Sequence, residues 1–269
     1  MTRPLKKMPA FGTIAAGATA TVLVPLGLTY NVFYLRANVD AVPRDLPMAD
    51  WGTYFGDIRV MVDGDAEITI DAAELVSLNQ YFGQTATMVD GVLPLFLSLP
   101  WMRTIQGEDQ TAYGTAAGSI ESLSFEVDIK TGNTINSLEL YAKQSVGTPF
   151  GPHLRIQRYR NPIAATGEVE ITNINRGPYA MLGLHLNTAA VDKAYVEADT
   201  RKVIEFDRAI MGADLGAGGR VPQAGFTHFD FCPENRLAEA LPMNLQDFRL
   251  IPDFTATGNF DVYAISLQG

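Results

Sequence analysis

Over two stretches of the chain, hydrophobic and polar positions alternate with a period of two, and each then passes into a short run at helical spacing. In residues 58–84, Val60 and Val62 alternate with polar neighbours, Asp63-Gly64-Asp65 supplies a turn, and Ile68 and Ile70 resume the alternation. Asp71 stands where a helix N-cap belongs, followed by Leu75, Leu78 and Phe82 on one helical face. Residues 194–220 repeat the pattern without a gap, 136 positions later. Val60 meets Val196, Asp63 meets Asp199, Ile68 meets Ile204, Asp71 meets Asp207, Ala73 meets Ala209 and Gly83 meets Gly219. A hairpin feeding a capped helix, used twice, predicts an internal duplication.

The same patterning predicts further strands near 19–24, 28–36, 85–89, 92–99, 122–130 and 134–143. In the second half it predicts them near 168–174, 179–186, 226–231, 246–254 and 259–267, with a short helix near 234–241. Between them, residues 147–166 are broken by Gly147, Pro149, Gly151, Pro152 and Asn161-Pro162 and read as a connector. Thr131-Gly132-Asn133 and Thr257-Gly258-Asn259 form a further echo at a slightly different offset, so order is kept while loops change length. The predicted fold is all-β, with two tandem eight-stranded jelly rolls (a double β-barrel), each with a short flanking helix. Its parts are a basic N-terminal arm at 1–10, a first jelly roll at 11–146, the connector at 147–166 and a second jelly roll at 167–269.

Composition narrows the function more than the fold. Hydrophobic residues make up 47% and charged residues 19%, and the net charge of -10 argues against nucleic acid as the main partner. One cysteine, Cys232, excludes an internal disulfide framework. Arg3, Lys6 and Lys7 ahead of an apolar stretch resemble a signal peptide, but residues 19–24 look like a strand the fold needs. The same cations as a flexible arm would suit anionic lipid head groups or nucleic acid.

Catalytic chemistry has little to build on. His228, Asp230 and Glu234 begin a facial-triad pattern but lack a downstream histidine, and His228 with Asp230 reads as a solvent-facing or interface pair. Cys232 has no histidine placed beside it by the sequence, and no serine elbow or phosphate loop is present. No motif requires a cofactor. Calcium is the candidate ion, with Asp63 and Asp65 as its oxygen ligands, although Asp-Gly is equally a hairpin turn. Arg155, Arg158 and Arg160 are either a basic contact or a solvated strand, and Trp51 and Trp101 are expected to be buried, with subunit contact as the alternative.

In length, layout, basic arm and lack of catalytic motifs, the chain resembles the double jelly-roll major capsid proteins of tailless icosahedral, membrane-containing bacteriophages of the corticovirus type. The resemblance covers the whole chain. It implies a structural coat protein, not an enzyme, synthesised in the host cytoplasm and located in the virion capsid. Its partners would be copies of itself, as homotrimers and neighbouring capsomers, other virion proteins, and an internal lipid membrane. Arg3, Lys6 and Lys7 would make the membrane or inner-face contact, with no specific nucleic-acid binding. A carbohydrate-binding or adhesive β-sandwich and a tandem jelly-roll hydrolase are the alternatives.

Overall fold

The computed structural model describes residues 3–40, 42–102, 111–116 and 118–269. Two compact units divide between Leu154 and Arg155. The first contains β1 (Leu5–Lys7), β2 (Thr19–Leu23), β3 (Leu28–Val39), β4 (Arg44–Asp45), β5 (Phe55–Val62), β6 (Asp65–Asp71), β7 (Val92–Phe96), β8 (Tyr113–Gly114), β9 (Leu123–Ile129) and β10 (Ile135–Val146). It also carries the helices α1 (Trp51–Tyr54) and α2 (Ala72–Tyr81). One sheet runs β6-β5-β9-β2; the other runs β1-β10-β3, with β4, β7 and β8 also pairing with β3. Strict alternation of buried residues along β9 sends Leu123, Phe125, Val127 and Ile129 inward. There Phe125 meets Phe33 of β3 edge to face at 5.7 Å, which joins the two sheets into a sandwich.

The second unit contains β11 (His153–Ile163), whose first residues precede the division, β12 (Gly167–Glu168), β13 (Tyr179–Leu186), β14 (Val191–Ala198), β15 (Arg201–Asp207), β16 (Thr227–Asp230), β17 (Leu241–Pro242), β18 (Phe248–Phe254) and β19 (Gly258–Gln268), with helix α3 (Arg208–Ala217). Its sheets run β16-β13-β19-β11 and β12-β18-β14-β15. Leu184 and Val262 of the first sheet share one buried cluster with Val196 and Leu250 of the second.

The duplication extends to the irregularities. In the β5–β6 hairpin, Val60 faces Ile68 and Met61 faces Ala66, so Glu67 is bulged; in the β14–β15 hairpin, Val196 faces Ile204 and Glu197 faces Lys202, so Val203 is bulged. Asp71 caps α2 by accepting from the Ala73 amide at 2.9 Å, and Asp207 caps α3 by accepting from the Ala209 and Ile210 amides. Both helices end alike, with Gly83 and Gly219 at positive φ and the Gln84 and Arg220 amides returning to the Asn79 and Leu215 carbonyls at 2.9 Å.

Several expectations change. The predicted flexible arm is β1 from Leu5 onward, paired with Tyr141–Lys143 of β10; Met1 and Thr2 lie outside the described residues. Residues 85–89 hold a 3₁₀ turn, Thr85–Thr87, in place of a strand. Near 234–241 the helix shrinks to another 3₁₀ turn, Leu237–Glu239. Within the connector, β11 runs through Asn161-Pro162, because Pro162 is its penultimate residue and a strand end tolerates a missing N–H. Ten strands precede the division and nine start at β11, so short edge pieces exceed the expected eight per unit among the described residues. No helix there is long and apolar enough to cross a membrane.

Candidate functional site

The histidines and the cysteine of the second unit are structural in placement. His228 of β16 and His185 of β13 face each other across the ladder with their Nδ1 atoms 2.8 Å apart. The Gln223 amide donates to His228 Nε2 at 3.2 Å, so the His228 proton sits on Nδ1 and is donated to His185. Burial pushes His185 down to about 3 and His228 down to about 2, with nearby Arg220 and Arg208 adding to the respective shifts. The pair is therefore neutral and buried. The expectation of a solvent-facing His228–Asp230 pair is corrected, because β16 is buried along both faces.

Asp230 instead accepts from Arg220 Nε at 2.6 Å, and the same guanidinium donates to Asn235 Oδ1 and, at 3.0 Å, to the Cys232 carbonyl. Glu234 points outward beside Arg236, 3.3 Å away, so the facial-triad constellation is not assembled. Burial pushes the Cys232 thiol up to about 12, with the Asp230 and Glu239 charges adding to it, which removes the thiolate a nucleophile needs. His153 is held between the Gly151 carbonyl at 2.9 Å and Glu67 at 3.1 Å. Among the described residues no group of three or more histidine, cysteine or acidic side chains is arranged to hold a metal ion.

Asp63 has a mechanical use that the sequence did not disclose. It sits at φ +51°, and its Oδ1 accepts from the Glu121 and Ser122 amides at 2.7 Å, bracing the start of β9. Asp199, at φ +47°, does the same for β18 through the Gln246 and Asp247 amides at 2.8 and 2.9 Å. The turn aspartate is thus common to both copies, whereas Asp65 is an exposed strand start in only one. Of the three arginines of β11, Arg158 lies 3.9 Å from Asp261. Trp51 is fully buried against Phe55, and Trp101 stacks on Phe82 at 4.5 Å.

Where the copies differ is in what covers their helices. α2 is packed by α1, so closely that a Cβ on Gly52 would lie 2.6 Å from the Ala73 methyl, and Asn79 donates to the Pro94 carbonyl. Leu75, Val76, Leu78 and Tyr81 are buried as a result. The second unit has only residues 187–190 between β13 and β14, and no counterpart of α1. Arg208 replaces Ala72 and ties that short connection down through the Ala189 and Val191 carbonyls, both at 2.9 Å. α3 buries Leu215 alone and leaves Ile210 72% exposed. Ile210 borders a groove of about 500 Å³ that Tyr195 and Ile251 line together with charged side chains, Lys202 among them with its Nζ 4.3 Å from the Tyr195 ring centroid.

The basic residues of the N-terminus lie in the first unit. Lys7 pairs with Glu139 at 2.5 Å, a contact that raises the lysine and lowers the carboxylate from their ordinary values. Lys6 is exposed, and Arg3 lines a cavity of about 660 Å³ with Thr29, Asn31, Ser145 and Thr148.

The chain is built of two like β-sandwich units, and comparison with known proteins identifies them. The viral coat protein P2 N-terminal domain matches residues 5–145, and the viral coat protein P2 C-terminal domain matches residues 153–269. Among solved structures, the fold is similar to the major capsid protein P2 from bacteriophage PM2, with a TM-score of 0.88 and 20% identity over 99% of this chain and 97% of that one. It is also similar to a chain of Sulfolobus Turreted Icosahedral Virus, with a TM-score of 0.73 and 8% identity over 99% and 91%. The PBCV-1 virus capsid gives a TM-score of 0.62 and 9% identity over 99% and 94%. No curated protein matches in sequence. At such identities the structures speak for the fold, and the two domain matches carry the family. Matched in order by both domains of one coat protein, the chain belongs to the viral coat protein P2 family, a coat protein of the virion with the double jelly-roll fold.

Proposed function

We propose that the chain assembles as homotrimers, each a pseudo-hexagonal block of six like barrels, that tile an icosahedral shell over an internal lipid membrane, and that it does so without catalytic activity. The observation that carries this reading is the unequal covering of two equivalent helices. The first copy roofs α2 with its own α1, while the second leaves Ile210 of α3 exposed beside a groove that Tyr195, Ile251 and charged side chains line, a mixture of the kind subunit contacts use. Closed rotational symmetry lets each copy supply the same face to its neighbour. Contact with the membrane falls to the end of the first unit that carries Arg3 and Lys6, with Lys7 drawn partly into its pair with Glu139. The test is mass in solution. Wild-type protein is expected at three times its chain mass, and Ile210→Asp, an exposed substitution that leaves the fold intact, is expected to shift it to the monomer. A wild-type protein that stays monomeric at high concentration overturns the reading.

A further inference from the structure

One end of the first unit gathers features that belong together only in the fold. Of the ten exposed large hydrophobic side chains among the described residues, four lie there: Leu5 (59% exposed), Leu23 (68%), Leu26 and Val146 (61%). The ladders place them. Leu5 faces Lys143 and Leu28 faces Val146, while Leu23 ends β2 and Leu26 lies in the short connection into Leu28. That connection touches the other strand's end so closely that a Cβ on Gly147 would lie 2.2 Å from the Gly27 carbonyl oxygen.

The same end opens into the cavity of about 660 Å³ lined by Arg3, Thr29, Asn31, Ser145, Val146 and Thr148. Asn31 is set there by a β-bulge: Val32 faces Lys143 and Tyr30 faces Gln144, so Asn31 is the extra residue. Its backbone is fixed, with its carbonyl accepting from the Leu97 and Ser98 amides at 2.9 and 3.0 Å. Asn31 is only 2% exposed, yet its Oδ1 has no hydrogen-bond partner among the described residues. A buried acceptor left unpaired costs stability that a ligand's hydroxyl would recover.

We propose that this cavity binds a polyol phosphate, the glycerophosphate class of head group. The hydroxyl of the polyol donates to Asn31 Oδ1, the phosphate sits toward Arg3, and the acyl chains of a lipid source run out over Leu5, Leu23, Leu26 and Val146. The inference rests on the membrane reading given above and names the chemistry that surface recognises. Cations beside exposed apolar side chains are the ordinary make-up of a lipid-facing surface; the built pocket adds selection among anionic lipids.

The experiment compares cosedimentation of the full chain with vesicles containing phosphatidylglycerol against vesicles containing phosphatidic acid, which carries the phosphate without the polyol. Wild type is expected to bind phosphatidylglycerol about fivefold more tightly, the worth of one hydrogen bond to a buried acceptor, and Asn31→Leu to bind the two alike. Equal binding of both lipids by wild type overturns the pocket while leaving the membrane reading in place. A second measurement on wild type alone guards against misfolding of the variant: soluble glycerol 3-phosphate should raise the melting temperature and compete with the vesicles. Failure to bind either vesicle, together with a melting shift from glycerol 3-phosphate, assigns the pocket to a soluble ligand and removes the membrane reading. No response to vesicles or to glycerol 3-phosphate overturns both.

Discussion

Five of the six identities between the two copies are positions where the backbone or the core leaves little choice, Ala73 and Ala209 being exposed. Val60 and Val196 are fully buried, Asp71 and Asp207 cap helices, and Gly83 and Gly219 close them at positive φ. Asp63 and Asp199 combine two demands, a left-handed turn conformation that aspartate tolerates better than most residues and a carboxylate aimed at two amides. Asp63→Asn and Asp199→Asn keep an accepting oxygen and the turn geometry, and are expected to melt close to wild type. Asp63→Ala and Asp199→Ala lose both hydrogen bonds and strain the turn, and each is expected to cost about 2–3 kcal/mol in denaturant titrations. Equal losses in the two turns would mark them as one device used twice.

Among elements, the buried Arg220 guanidinium does the most joining. It links the loop after α3 to the end of β16 and to Asn235, itself at φ +64°, in the turn that follows. Arg220→Met removes the cation and leaves the Asp230 charge buried, so a loss of about 3–5 kcal/mol is expected, read as a lower urea midpoint for the second unit. The sequence revealed the long amphipathic strands, both capped helices and their pairing, because burial on one face imposes a period that can be counted. It hid β1, since all three of its side chains are exposed and backbone pairing alone makes it a strand. It gave β11 only as one of two readings of Arg155, Arg158 and Arg160, a solvated strand inside a stretch whose Gly and Pro residues marked a connector. The partnership of His185 with His228 was illegible because register alone brings them together, and the apolar end around Asn31 because it draws on four segments far apart in the chain.

At the scale of the whole molecule, the histidine pair sets the direction in which stability changes with pH. Both groups stay neutral in the fold well below the unfolded value near 6.5. Their contribution is present above that value and is lost as pH falls, because the unfolded chain takes up protons that the fold refuses. At pH 5 the loss is about 2 kcal/mol for each histidine. Denaturant midpoints measured between pH 7 and 5 should fall accordingly, and the His185→Gln, His228→Gln double variant should show a flatter profile; an unchanged slope would show that other groups govern it. The absent counterpart of α1 has a consequence in time as well as in space. The first half of the chain leaves the ribosome able to finish its own core, helix roof included. In the trimer proposed above, the second half would cover the Ile210 side of α3 only when another copy arrives, which would tie that step to the number of copies already made.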